Sequence, residues 1–130
     1  MDENAALGAL AALAQETRLR MVRLLVTAGP QGMAAGEIGL AMDGASSSRM
    51  SFHLAHLEQA GLIVSRREGR SILYSAVFAT LSELIAFLMR DCCQGHPAVC
   101  RPVVSALEAA PGMHGPKRPG ARSTGRASRA

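Results

Sequence analysis

The sequence predicts a mainly α-helical domain with one small β-hairpin, and three observations carry that expectation. Hydrophobic residues make up 48% of the chain, drawn chiefly from Ala, Leu, Met and Val, while aromatics make up only 3%. Most apolar segments repeat at helical spacing. Only residues 62–66 (LIVSR) and 71–77 (SILYSAV) are short and rich in β-branched residues, and a charged loop containing Gly69 separates them. A length of 130 residues suits one domain plus a tail.

Each element has its own signal. Residues 4–14 (NAALGALAALA) predict a short helix with Leu7, Leu10 and Ala14 along one face; Gly8 weakens it, so packing must hold it. Residues 16–27 (ETRLRMVRLLVT) predict an amphipathic helix whose stripe is Leu19, Val22, Leu25 and Val26, with Arg18, Arg20 and Arg23 off its centre. Gly29-Pro30 stops it. A third helix covers about 35–42 (AGEIGLAM) and ends at Asp43-Gly44. Ser46, Ser47 and Ser48 offer N-cap hydroxyls for a fourth helix reaching about residue 60, where Gly61 is a natural C-cap. Two such helices joined by a short turn form a helix-turn-helix pattern. The hairpin follows, with arginines at its tip.

Residues 78–91 (FATLSELIAFLMRD) are helical again, with Leu81, Leu84, Ile85 and Leu88 at i, i+3, i+4 and i+7. Phe78, Phe87 and Met89 widen the apolar surface beyond one stripe. Burial within one domain accounts for part of it; a dimer interface of Leu7, Leu10, Leu81, Leu84, Ile85 and Leu88 accounts for the surplus. From about Ala109 the sequence turns to Pro, Gly, Ser, Ala and Arg without apolar periodicity. The expected division is a domain over residues 1–100 and a largely disordered basic tail over 101–130. That tail is either a solvated end or a non-specific DNA tether. The complete order of helices and hairpin is that of a winged helix-turn-helix, and a homodimer is its expected form.

The net charge of +4 sits in the tail. Residues 101–130 carry +5, whereas residues 1–100 carry −1 from eight arginines against nine acids. Any nucleic-acid contact by the body therefore rests on where single arginines stand. Few aromatics argue against a single-strand binder built on stacked rings. No apolar run approaches the ~18 residues of a membrane span and no secretory leader opens the chain, so a cytoplasmic protein is expected. Three cysteines in a reducing compartment argue against a disulfide framework. The sequence carries no HExxH, GxSxG or phosphate loop, and His53 and His56 have no nucleophile in reach, so no enzyme is expected.

Two segments carry a family resemblance over roughly residues 7–100. "ALAQETRLRMVRLL" resembles the entry of arsenical-resistance-repressor (ArsR/SmtB) transcription factors, and "SSSRMSFHLAHLEQAGLIVSRREGRSILYSA" resembles their recognition helix and wing. Ser51, His53-Leu54, Leu57, Ala60-Gly61-Leu62, Gly69-Arg70 and Tyr74 fall in the family's register. The resemblance implies a dimer that binds double-stranded operator DNA at an inverted repeat, with recognition helices about 34 Å apart.

Helix geometry sorts the fourth helix. With Met50 at the centre of the buried face, Leu54 and Leu57 return to within about 40° of it. Ser48, Phe52 and His56 then point away with Arg49 beside them, Ser51 and Ala55 lie on a shoulder, and His53 lies at the core edge. One guanidinium for guanine, hydroxyls for phosphates or base edges, and an apolar ring for a thymine methyl suit a major groove. The DNA-binding set is Ser48, Arg49, Ser51, Phe52, His53 and His56, joined by Arg66, Arg67 and Arg70 of the wing. Blander roles exist for several: Ser46 and Ser47 as caps, Phe52 as packing on the third helix, His53 as a hydrogen-bonded histidine at the core edge.

The remaining motif is Cys92-Cys93-Gln94-Gly95-His96-Pro97-Ala98-Val99-Cys100. Gly95 and Pro97 let the chain double back and bring Cys100 over the first two thiols. Three thiolates around one point suit a soft, pyramidal As(III) or Sb(III) centre. Addition of His96 would make a Cys₃His zinc site, and Cys100 closing on either neighbour would make a redox switch. Inert buried thiols are the remaining reading. The family's best-known arsenic sensors carry thiols in the DNA-binding helices, where "EIGLAMDGASSS" has none; its zinc sites use Asp, His and Glu on the last helix, where "TLSELIAFLMRD" has no histidine. Some arsenic-sensing members resemble this chain in placing a Cys-Cys pair and a further Cys after the last helix. That resemblance implies As(III) at Cys92, Cys93 and Cys100. Members using two thiols sense methylarsenite. The expected function is an As(III)-responsive repressor that leaves its operator when metalloid binds; the rival is a metal-binding protein-interaction module without DNA binding.

Overall fold

The computed structural model describes residues 1–43, 46–92 and 96–109, without the side chains of Ser47, Asp91 and Cys92. The chain divides into two units, Met1–Phe87 and Leu88–Ala130.

In the first unit, α1 spans Glu3–Leu13, and the Asp2 carboxylate caps it by accepting from the Ala5 amide at 2.8 Å. Its inward face is Ala6, Ala9 and Ala12, all fully buried. The face read from sequence as the apolar stripe is turned outward: Leu7 and Leu10 are exposed. Small side chains let α1 approach its neighbours closely, which a leucine face would prevent.

Helix α2 (Glu16–Ala28) is likewise rotated from the expected stripe. It buries Arg18, Met21, Val22 and Leu25, while Leu19 and Val26 are exposed. Positions 18, 21, 22 and 25 are an i, i+3, i+4, i+7 set, with an arginine at its head. Gly29 closes the helix as expected, donating to the Leu25 carbonyl at 3.2 Å.

Strand β1 (Met33–Ala34) was not expected from the sequence; two residues carry no readable alternation. Gly32 creates it. Its φ is +75°, and a Cβ there would stand 2.3 Å from the Tyr74 carbonyl oxygen. The backbone can approach Tyr74 this closely only where no side chain intervenes.

Helix α3 (Ala35–Ala41) buries Ile38, and the Glu37 carboxylate accepts from the Ala34 amide at 2.9 Å. Met42 and Asp43 follow it, while the Gly44 part of the expected stop lies outside the described residues. Helix α4 (Ser47–Gln59) starts at Ser46, whose hydroxyl accepts from the Arg49 amide at 3.3 Å. It ends as expected at Gly61, where φ is +79°, the Gly61 amide donates to Glu58 and the Leu62 amide to Leu57.

Strands β2 (Ile63–Glu68) and β3 (Ser71–Ala76) pair antiparallel from Ile63↔Ala76 to Glu68↔Ser71, with Gly69-Arg70 as the two-residue turn. The short β1 adds to the other edge of β3 through Met33↔Tyr74 and Ala34↔Leu73, so the sheet order is β1-β3-β2. Helix α5 (Phe78–Ala86) places Leu84 in the core, with Leu81 and Phe87 packed against it. Met21, Leu25, Ile38, Leu57, Leu62 and Ile63 are the largest fully buried side chains. They clamp α2, α3 and α4 to the foot of the hairpin, each contributing roughly 1.5–3 kcal/mol.

The expected single helix over 78–91 does not run through in α form. A π-turn occupies Phe87–Cys92. In the second unit, α6 (Pro97–Ala109) follows, with proline at its first position and His96 as its cap. Its end at Ala109 coincides with the composition change, whereas the expected division after residue 100 falls inside it. Val99, Val103, Val104 and Leu107 are exposed along this helix. The basic tail beyond Ala109 lies outside the described residues.

Candidate nucleic-acid interface and cysteine turn

The arrangement of α4 follows the wheel argument closely. Met50, Leu54 and Leu57 are buried, while Ser48, Arg49, Ser51 and Phe52 are exposed. Phe52 is 65% exposed, with edge-on ring contacts to His53 and His56, so most of its ring is left uncovered by α3. His56 is half-buried. The Ser47 hydroxyl lies outside the described residues.

His53 departs from the expected DNA face. It is 7% exposed, and its Nδ1 lies 3.2 Å from Nη1 of Arg18, itself 8% exposed. The core-edge role is the one the structure gives it. Burial foremost, then the positive charges of Arg18, Arg49 and His56, push the His53 pKa below its ordinary value of 6.5.

The wing arginines divide into two kinds. Arg66 is a tie: its guanidinium donates to the Gln31 carbonyl at 2.8 Å and the Pro30 carbonyl at 3.4 Å, and pairs with Glu68 at 3.0 Å. These contacts anchor β2 to the loop before β1 and give Arg66 a structural role, although it stays exposed. Arg67 and Arg70 are exposed at the hairpin tip. Among the described residues no carboxylate pairs with them or with Arg49. Ser65 donates to the Glu58 carboxylate at 2.8 Å, which fixes the wing to α4. Wing and helix are thus joined through Ser65 and Glu58, and Arg49, Arg67 and Arg70 are exposed on them.

The cysteine turn is described in part. Cys93 and the Cys92 side chain lie outside the described residues, as does Gly95. Cys100 is half-buried in the first turn of α6, and its thiol donates to the Met89 carbonyl of the π-turn at 4.0 Å. The chain therefore doubles back, returning Cys100 to within three residues of Cys92 along the π-turn. Among the described residues no three His, Cys, Asp or Glu side chains form a metal-binding group. The His96 Nδ1 accepts from the Ala98 amide at 3.1 Å, so one ring nitrogen already serves as a helix cap.

These features define a winged-helix domain of the DNA-binding class. A family model described as a helix-turn-helix domain matches residues 13–66. HTH-type transcriptional regulator Rv0081 of Mycobacterium tuberculosis is 34% identical over 74 residues, which are 57% of this chain and 62% of the relative. The chain thus spans less than two-thirds of that relative's length. Transcriptional activator HlyU of Vibrio cholerae is 30% identical over 98 residues, covering 74% of this chain and 87% of HlyU. A Halobacterium salinarum protein named for repression of an arsenical resistance operon is 34% identical over 83 residues, 64% of this chain and 63% of that protein. Among solved structures, an ArsR-like transcriptional regulator from Rhodococcus superposes with a TM-score of 0.62 at 25% identity, over 81% of this chain and 91% of that one. The chain belongs to the ArsR-like family of winged helix-turn-helix transcriptional regulators. That family consists of regulators and not of enzymes. Among the described residues no helix is long and apolar enough to cross a membrane.

Proposed function

We propose that this chain is a dimeric transcriptional repressor that reads an inverted-repeat operator with α4 and releases it when a thiophilic metalloid, As(III) first, binds Cys92, Cys93 and Cys100. The observation that carries the DNA reading is the exposed start of α4, where Ser48, Arg49, Ser51 and Phe52 stand clear of the core; Arg67 and Arg70 of the wing are exposed as well. A helix N-terminus aimed outward also favours phosphate. Support for a dimer comes from Leu7 and Leu10 on α1 and Ile85 on α5, which the chain leaves exposed; Leu88 is exposed as well. Leu84 serves the domain's own core instead.

The metalloid reading draws on the donor set and on the reversal that carries Cys100 back to the π-turn. Thiolates favour soft centres, and binding displaces their protons. Sb(III) and methylarsenite share this chemistry. Zinc with His96 as fourth ligand is less favoured, because His96 caps α6 through Nδ1. Release is a population shift: metalloid bound across the turn favours a dimer with unsuitable helix spacing, with coupling of about 1–3 kcal/mol.

Arg49→Ala tests the DNA reading. Loss of one guanidinium at a base edge is expected to weaken specific binding by about 1–3 kcal/mol, roughly 5–150-fold, with folding unchanged. Fluorescence anisotropy on a duplex enriched from a randomised library measures it. Equal affinity of the variant and wild type removes Arg49 from the reading set. Micromolar arsenite that leaves that affinity unchanged in a mobility-shift assay removes As(III) as inducer.

A further inference from the structure

Arg18 occupies a place unusual for an arginine, at the head of the buried stripe of α2. Its Nε donates to the Ala12 carbonyl at 2.7 Å. That carbonyl is in the last turn of α1, where helix oxygens have no partner within the helix. Its Nη1 meets His53 Nδ1 in the middle of α4. One side chain of α2 therefore reaches two other helices, α1 and α4, and α4 is the one that carries the DNA-reading residues.

We propose that Arg18 is a positioning residue for DNA reading: it clasps the end of α1 to the middle of α4 and so sets the angle at which Ser48, Arg49, Ser51 and Phe52 are presented. The inference rests on the DNA-binding reading above. It also gives α1, with its outward Leu7 and Leu10, a direct physical link to the reading helix, so that packing of a second copy on α1 is felt at α4.

The chemistry of the clasp makes it sensitive to acid. A guanidinium only donates hydrogen bonds and keeps its charge. His53 Nδ1 must therefore accept, which leaves the ring neutral with its proton on Nε2. A proton arriving on Nδ1 sets donor against donor and cation against cation, and the clasp opens at α4. The charged or titratable groups facing the ring are Arg18 from α2 and Arg49 and His56 from α4 itself. The α1 group at the other end of the clasp, the Ala12 carbonyl, meets Arg18 and carries no charge. The folded state holds the His53 pKa below 6.5, so the unfolded chain takes up this proton first. The stabilising contribution is complete above about pH 6.5 and declines as pH falls below it, until folded His53 also titrates.

His53→Asn provides the test, because its Oδ1 can accept near the Nδ1 position and does not titrate. The full chain, wild type and variant, is compared at about pH 7.5 and pH 5.5. Amide hydrogen exchange of α4 and affinity for a duplex enriched by the wild type at the higher pH are both read. The wild type is expected to lose α4 protection and DNA affinity relative to the variant on acidification, each by about fivefold or more. His56 is present in both proteins, so its protonation cancels from the comparison. Identical pH responses overturn the clasp. Exchange that separates the proteins while DNA affinity does not makes Arg18 merely structural and overturns the positioning role. Failure to enrich any duplex defeats the DNA-binding reading, and the exchange comparison still decides the clasp.

Discussion

Cys100→Ser is expected to abolish arsenite-induced DNA release while leaving the apo protein's operator affinity intact. A pyramidal As(III) centre takes three soft ligands, and a serine hydroxyl is a hard donor that stays protonated near neutral pH. Two sulfurs remain at Cys92 and Cys93, enough for a methylated arsenical whose third position is already filled by carbon. The variant should therefore still respond to methylarsenite. Folding should tolerate the change, because Cys100 is only half-buried and a hydroxyl can replace the thiol as donor to the Met89 carbonyl. Mobility-shift titrations with arsenite and methylarsenite, on wild type and variant in parallel, give the readout. An arsenite response that survives the substitution removes Cys100 from the ligand set. Loss of both responses places all three thiols in one obligatory site.

The largest effect on stability is expected from Gly32→Ala, about 3 kcal/mol or more in chemical denaturation. A positive φ costs an L-residue about 1–2 kcal/mol. The new methyl also meets backbone: the Tyr74 carbonyl oxygen at 2.3 Å and its carbon at 2.9 Å. Neither atom can rotate away, so β1 must leave β3. The pairs Met33↔Tyr74 and Ala34↔Leu73 are then lost, and the loop that Arg66 grips is displaced. Gly39→Ala is the control. It lies within α3, a Cβ there meets nothing within 4 Å, and it should gain roughly 0.5–1 kcal/mol from helix propensity. Equal midpoints for the two variants would show that the close approach at Gly32 is not a constraint on the fold.

Much of the reading helix was legible because its signals are local. The serine cap, the Met50, Leu54 and Leu57 spacing and the glycine after the last turn all act within one helix, and each is found where it was expected. The exposed Phe52 was legible by the same wheel. The hairpin was legible from β-branched runs around Gly69-Arg70. A return of the chain after the last helix was expected from the glycine and proline between the thiols, and the contact of Cys100 with Met89 is in keeping with it, while Cys93 and Gly95 lie outside the described residues.

Periodicity says that a helix has two faces without saying which neighbour each will meet. That is why α1 turns alanines rather than leucines inward, and why α2 buries Arg18 in place of Leu19. The arginine in register with Met21, Val22 and Leu25 was the available signal. Its meaning needed the Ala12 carbonyl and the His53 ring, which are respectively six residues upstream and 35 residues downstream. The roles of Arg66 and β1 were hidden for the same cause: their partners are backbone atoms far away in the chain. Local rules thus set the helices, their caps and the hairpin. Long-range packing assigned each helix its inner face and divided the arginines into those that tie the domain together and those left exposed, because burial free energy depends on what lies opposite a side chain and not on its neighbours along the chain.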